Sequence, residues 1–253
     1  MLVQGWQGER TSGMPRGKAK TGNATSGGPP RGSGATFVFE TLKTEIIQLT
    51  LAPGSTIDES QLASRFNLSR TPIREAMVRL AAEGLITTLP NRATVVSQID
   101  FLNLPQFFDA LTLMYRVTTR LAAANHAAGD IAEIRGLQAR YVDAVQARDV
   151  VAMITVNRDF HLAIARAGGN PYYRDLFARL LNEGLRILRL YYSSFNDVLP
   201  RQYADEHDEI IAAIAARDVD RADRVAAAHA DQIVRQIRST ISEDRRTNAG
   251  MPL

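Results

Sequence analysis

The chain carries four histidines, His126, His161, His207 and His229, and no cysteine. Disulfides, thiolate metal sites and cysteine catalysis are therefore excluded, and metal chemistry falls to imidazole and oxygen donors. His161 lies in NRDFHLAIARAGGNP, with Asn157 four residues before it. Four residues make one helical turn, so these two side chains share a face, whereas Asp159 points elsewhere. His207 lies in the acidic run YADEHDEI and His229 in RVAAAHADQI. One helix then offers an oxygen and an imidazole, and two others offer an imidazole each. Three neutral imidazoles and an oxygen can hold a first-row divalent ion and leave positions open for water or ligand. From the residues alone the plainer alternative stands beside this one: a lone histidine on a helix is more often a core or surface residue than a ligand. The same cluster would also permit water activation by a metal-dependent, hydrolase-like enzyme, with Glu206 and Glu209 as bases near His207, although no H-E-x-x-H spacing occurs.

A second group has a different use. Arg70 and Arg74 are four apart and lie off the apolar stripe formed by Ile73, Ala76, Met77 and Leu80. Arginine bonds guanine O6 and N7 in bidentate fashion, and the N-terminus of a helix favours phosphate. A solvated helix face is the bland alternative. It leaves the surrounding capping, turn and wing signals as coincidences.

These residues need elements to position them. Residues 53–96 read as a helix from Asp58 to Phe66 with Leu62, Ala63 and Phe66 inward, a tight turn at Asn67, a second helix and two short strands. Asparagine tolerates positive φ. Ser69 or Thr71 can cap the second helix, and Pro72 falls in its first turn, where a missing N–H is harmless. Phe37 to Leu51 supplies a preceding helix, stopped by Pro53-Gly54. The layout is a winged helix-turn-helix. Beyond Ser97–Leu104 the pattern is helical, at about 105–128, 130–147, 149–168, 171–197, 201–216 and 218–241, with Gly, Pro and Asp punctuation at Gly129-Asp130, Arg148-Asp149, Gly168–Pro171, Leu199-Pro200 and Arg217-Asp218. The fold expected is mainly α: a winged helix-turn-helix followed by an all-α bundle of about six helices.

Charge follows this division. Residues 1–35 hold Arg10, Arg16, Lys18, Lys20 and Arg31 against Glu9, and 9 of the 17 glycines. Residues 64–92 carry a net +3, while from 98 onward 19 arginines face 20 acids. The basic footprint belongs to the tail and the helix-turn-helix, as expected of nucleic-acid binding confined to one end. Residues 1–35 read as a disordered tail, either adding non-specific phosphate attraction or simply a leader. No run approaches membrane-spanning length, so cytoplasmic residence is the expectation.

LASRFNLSRTPIREAMVRLAAEGLI resembles the signature of GntR-type transcription regulators, and NRDFH, GGNPYY, EHDEI and AAAH resemble, in order and spacing, the all-helical FCD effector domain of the FadR branch. The resemblance departs from the usual pattern at Asn67 and Ala93, where glycine is usual, at Asn157, where aspartate is frequent, and at Leu111 and Tyr115, where relatives place Arg and Glu. It implies a bacterial repressor, not an enzyme. It implies that Ser69, Arg70, Thr71 and Arg74 contact DNA, with Arg92 at the wing, and that Asn157, His161, His207 and His229 ligate a divalent ion. Zinc is the first choice, with nickel and manganese as alternatives. A small carboxylate effector, a pseudo-palindromic operator and a homodimer complete the expectation. Arg116, Arg120, Arg186 and Arg189 are candidate effector contacts. The expected divisions are a tail at 1–35, the winged helix-turn-helix at 36–97, a linker at 98–104, an effector-binding and dimerisation domain at 105–242, and a disordered C-terminus at 243–253.

Overall fold

The computed structural model describes residues 33–90 and 93–249, the last seven as backbone only. The readings made for residues 1–32 and for Arg92 lie outside the described residues.

Three helices and a small sheet form the N-terminal unit. Helix α1 (Gly34–Ile47) buries Val38, Phe39, Leu42, Ile46 and Ile47. It ends before the expected Leu51, because the chain turns at Leu49 (φ 62°) ahead of Pro53-Gly54. Strand β1 (Thr56–Ile57) was not legible in the sequence; two residues carry no alternation. Helix α2 (Glu59–Phe66) starts at Asp58, whose carboxylate accepts from the N–H groups of Ser60 and Gln61, the stabilising arrangement for an N-cap. Asn67 closes it in the left-handed region at φ 51°. Helix α3 (Arg70–Ala82) buries Ile73, Ala76, Met77 and Leu80 as the spacing required. Ser69 takes the N-cap position without a side-chain capping bond. Strands β2 (Ile86–Thr88) and β3 (Thr94–Val96) complete an antiparallel sheet in the order β1-β3-β2, with Thr87 opposite Val95 and Ile57 opposite Thr94. Arg79 lies 3.8 Å from the Phe39 ring centroid and donates to Thr36 at 3.2 Å, tying α3 to α1.

The second unit is six helices: α4 (Leu104–Asn125), α5 (Ala128–Ala147), α6 (Val150–Ala167), α7 (Pro171–Ser193), α8 (Arg201–Ala215) and α9 (Val219–Ala249). Helix α4 packs along α9, α5 on α6, α6 on α7, and α8 on α9. Asp149 caps α6 through the Ala152 N–H, and Asn170 caps α7 through Tyr172 and Tyr173, with Pro171 opening the helix. Three boundaries differ from expectation. The break before α5 is at His126-Ala127, because the Asp130 carboxylate reaches back to the Ala127 N–H and draws Gly129 into the first turn. Helix α7 stops at Ser193, where Asn196 and Asp197 turn to positive φ and Asp197 pairs with Arg189. Helix α9 continues to Ala249, past the expected helix end at about 241.

The two units are joined by a buried charge. Arg186 on α7 is 2% exposed and donates to the carbonyls of Ser97 and Gln98, the residues following β3. The Gln98 side chain in turn lies against Gly54, where a β-carbon would come within 2.5 Å of its amide nitrogen. Gly54 holds φ +81°, the left-handed region that favours glycine, while the Gln98 amide is a side-chain end that can move aside. Substituting Arg186→Met should cost about 1–3 kcal/mol, because two part-buried carbonyls lose charge-assisted bonds. Urea unfolding and limited proteolysis across residues 97–103 read this out. Wild-type stability together with wild-type cleavage would show that the tie carries no load.

Candidate metal centre and DNA-binding face

Helices α6, α8 and α9 bring His161, His207 and His229 together. Each is at least 95% buried, and one nitrogen from each ring lies within 4.8 Å of the other two. The ring centroids are 5.1, 5.2 and 5.0 Å apart. Aromatic rings wall the cluster. Tyr115 on α4 meets His161 edge-on at 4.6 Å and His229 at 5.6 Å, and Phe160 stacks on His207 at 4.2 Å. Burial is the first cause holding the His161 and His207 imidazoles well below their ordinary value of 6.5, with the neighbouring histidines adding to it. Both are therefore neutral near pH 7, the form that ligates metal.

Hydrogen bonds set which nitrogen faces inward. His207 Nδ1 lies 2.8 Å from Gln138 Oε1. The Gln138 amide is turned so that its nitrogen donates to the Ala204 carbonyl at 3.0 Å. Its oxygen can only accept, so His207 Nδ1 carries the proton and Nε2 keeps its lone pair. His229 Nδ1 donates in the same way to Glu206 Oε2 at 2.7 Å. The inner nitrogens His161 Nε2 and His229 Nε2 are buried without a hydrogen-bond partner, as is Asn157 Nδ2 one turn before His161. Unpartnered buried polar atoms are rare and costly. Three buried imidazoles, each with a ring nitrogen within 4.8 Å of the other two, fit a divalent cation. Asn157 is 3% exposed, and a half-turn of its amide exchanges donor for acceptor.

The candidate effector arginines have other partners. Arg116 forms a two-pronged pair with Asp223 at 2.9 and 2.8 Å, and Arg120 reaches Asp220 at 3.5 Å, both on an exposed face. Arg189 holds Asp197, and Arg186 holds the linker carbonyls. The structure brings none of the four to the histidines through a contact. Gln138 was missed by the sequence reading. Its signal was a polar residue on the stripe of Ile134 and Tyr141, spaced at i, i+4 and i+7 and buried on α5. Glu206 was weighed only as a base.

At the other end, Ser69, Arg70, Thr71 and Arg74 are all exposed at the start of α3. Arg74 Nε pairs with Glu59 at 2.9 Å, and Arg70 reaches the Ser60 hydroxyl at 3.4 Å, so both lean on the start of α2. With Arg74 63% exposed, such a pair is weak and exchanges readily for another anion. Arg65 and Arg79 are instead held against α1 by Glu45 and Phe39.

Comparison with known proteins agrees with both ends. Residues 35–96 match the bacterial regulatory proteins of the gntR family, and residues 106–232 match the FCD domain. The HTH-type transcriptional repressor RspR of Escherichia coli (strain K12) is 27% identical over 215 residues, covering 81% of this chain and 91% of RspR. A probable D-xylose utilization operon transcriptional repressor of Paenarthrobacter nicotinovorans is 26% identical over 207 residues, covering 82% and 90%. The solved structure of E. coli McbR/YncC superposes with a TM-score of 0.68 at 24% identity, covering 83% of this chain and 99% of that one.

The depressed imidazoles give stability a pH dependence. In chelator-treated protein, unfolded histidines take up protons near pH 6.5, whereas folded His161 and His207 resist them. Stability is then intact above that value and lost as pH falls below it, by about 1.4 kcal/mol per pH unit for each such histidine. Urea midpoints from pH 7.5 to 5 should show the decline, and His161→Phe should reduce the slope. A flat profile would mean the histidines are not buried in neutral form.

Proposed function

The chain belongs to the gntR family of bacterial regulatory proteins, with an FCD domain behind its winged helix, and from that premise we propose that it is a cytoplasmic, homodimeric repressor of the FadR branch whose grip on a pseudo-palindromic operator is set by a small carboxylate bound in a metal-containing bundle. The observation that carries this is the convergence of three buried imidazoles from three helices in a domain joined to the wing by Arg186. His161, His207 and His229 would hold the ion, zinc first among the candidates, with the Asn157 amide oxygen as a fourth donor. Held there, the ion would supply Lewis-acid coordination for an anionic effector. Arg116, Arg120 and Arg189, the arginines considered for that role, are paired with acids instead.

A hydrolase reading is less well supported. The carboxylates considered for it are engaged, Glu206 by His229 and Glu209 by Arg221, and the family is one of regulators. On the DNA side, Arg70, Thr71 and Arg74 would enter the major groove with Ser69 at a phosphate. A two-fold dimer would set two such helices against two half-sites.

Arg70→Ala and Arg74→Ala should each weaken operator binding by about 1–3 kcal/mol if the contact is to a base edge, with the melting temperature unchanged. Gel-shift titration decides: two variants with wild-type affinity would remove this helix from the interface. For the bundle, zinc, nickel or manganese should raise the melting temperature by mass action, chelation should lower it, and His207→Ala should melt like the chelated protein. Stoichiometric metal analysis finding no bound ion, with no thermal shift on titration, would leave a set of buried histidines and no metal centre.

A further inference from the structure

The three histidines are not supported alike. His207 leans on a neutral amide, Gln138, whereas His229 leans on a carboxylate, Glu206, at 2.7 Å. Glu206 and His207 are adjacent on α8. One side chain enters the cluster itself, and its neighbour reaches across to the imidazole that α9 supplies. The Glu206 carboxylate accepts from His229 Nδ1, which leaves Nε2, buried and without a hydrogen-bond partner, as the nitrogen offered to the cluster. Among the described residues Glu206 is the carboxylate bonded to one of the three imidazoles.

We infer that Glu206 is the positioning residue that sets how tightly the centre holds its cation. It locks His229 in the tautomer that presents Nε2, enriches that nitrogen through the Nδ1–H bond, and sets a negative charge directly behind the imidazole. A carboxylate behind a ligating histidine typically contributes 10–100-fold in metal affinity. Gln138 orients His207 with the same geometry and no charge, so the two supports divide the work: one aligns, the other aligns and polarises. The inference rests on the metal reading of the histidine cluster.

The test is zinc affinity of the full chain, stripped with chelator and titrated against a chromophoric competitor. Glu206→Gln keeps an oxygen for the His229 N–H and removes the charge; Glu206→Ala removes both. Glu209→Gln makes the same charge change on the same helix at a residue whose carboxylate bonds Arg221 and not a histidine. Glu206→Gln should bind zinc about 10–100-fold more weakly, Glu206→Ala at least as weakly, and Glu209→Gln as wild type. The stripped proteins should melt together. Wild-type zinc affinity in Glu206→Gln overturns the inference. So does an affinity loss matched by lower stability of the stripped variant, which would mark a merely structural role. Wild-type protein that takes up no zinc overturns the metal centre itself, before Glu206 enters.

Discussion

Burying three imidazoles side by side constrains everything around them. An imidazole in an apolar core must be neutral, and each of its nitrogens must meet a group of the right kind. Five helices meet part of this requirement jointly, and leave the inner nitrogens of His161 and His229 without a hydrogen-bond partner. Helices α6, α8 and α9 bring the rings, α5 brings the Gln138 acceptor, and α4 brings Tyr115 as a wall. A one-residue slip of any of these helices rotates its side chain by about 100° and strands a nitrogen. The bundle's crossing points are therefore specified by the polar cluster as well as by the leucine and isoleucine packing around it.

Helix α7 extends this constraint outward. At one end Phe177 packs edge-on against Tyr115 at 5.1 Å and faces His161 at 6.4 Å. Nine residues further on, about 14 Å along a rigid helix, Arg186 grips the carbonyls of Ser97 and Gln98. Burial lowers the Arg186 guanidinium from its ordinary value, with Glu183 opposing the shift. A displacement of the wall residues at the histidines thus has a stiff element through which to reach the residue after β3. The Gln98 side chain against Gly54 carries the contact on to the turn before β1.

Much of this was legible in the residues and some was not. The helix-turn-helix was, because Asp58, Asn67 and the Ile73–Leu80 stripe each act locally, within one or two turns. The bundle helices were legible for the same reason, and their ends slipped where a side chain reached back across the break, as Asp130 does to Ala127. The histidines were visible as candidates. That α6, α8 and α9 cross where those three residues sit is not a property of spacing, and the expectation came from resemblance. Arg186 shows the limit most clearly. In an arginine-rich chain it looks like any surface cation, and its partners lie 88 and 89 residues away in sequence.

The energies of the cluster suit a switch better than a scaffold. A buried polar atom left without a partner costs about 1–3 kcal/mol, and His161, His229 and Asn157 each carry one. A core built only for stability would replace them with hydrocarbon of similar volume, which is often neutral or favourable. Keeping them makes the stability of the bundle conditional on what sits among the rings. A ligand at 100 times its dissociation constant returns about 2.7 kcal/mol, the same scale as those costs and within the 1–3 kcal/mol by which two sites in a protein are ordinarily coupled. Occupancy of the cluster is thus an effect large enough to bias the packing of Tyr115, Phe177 and α7. The contacts of Arg74 with Glu59 and of Arg70 with Ser60 lie at the far end of that chain. They are weak and exposed enough to exchange for another anion at little cost.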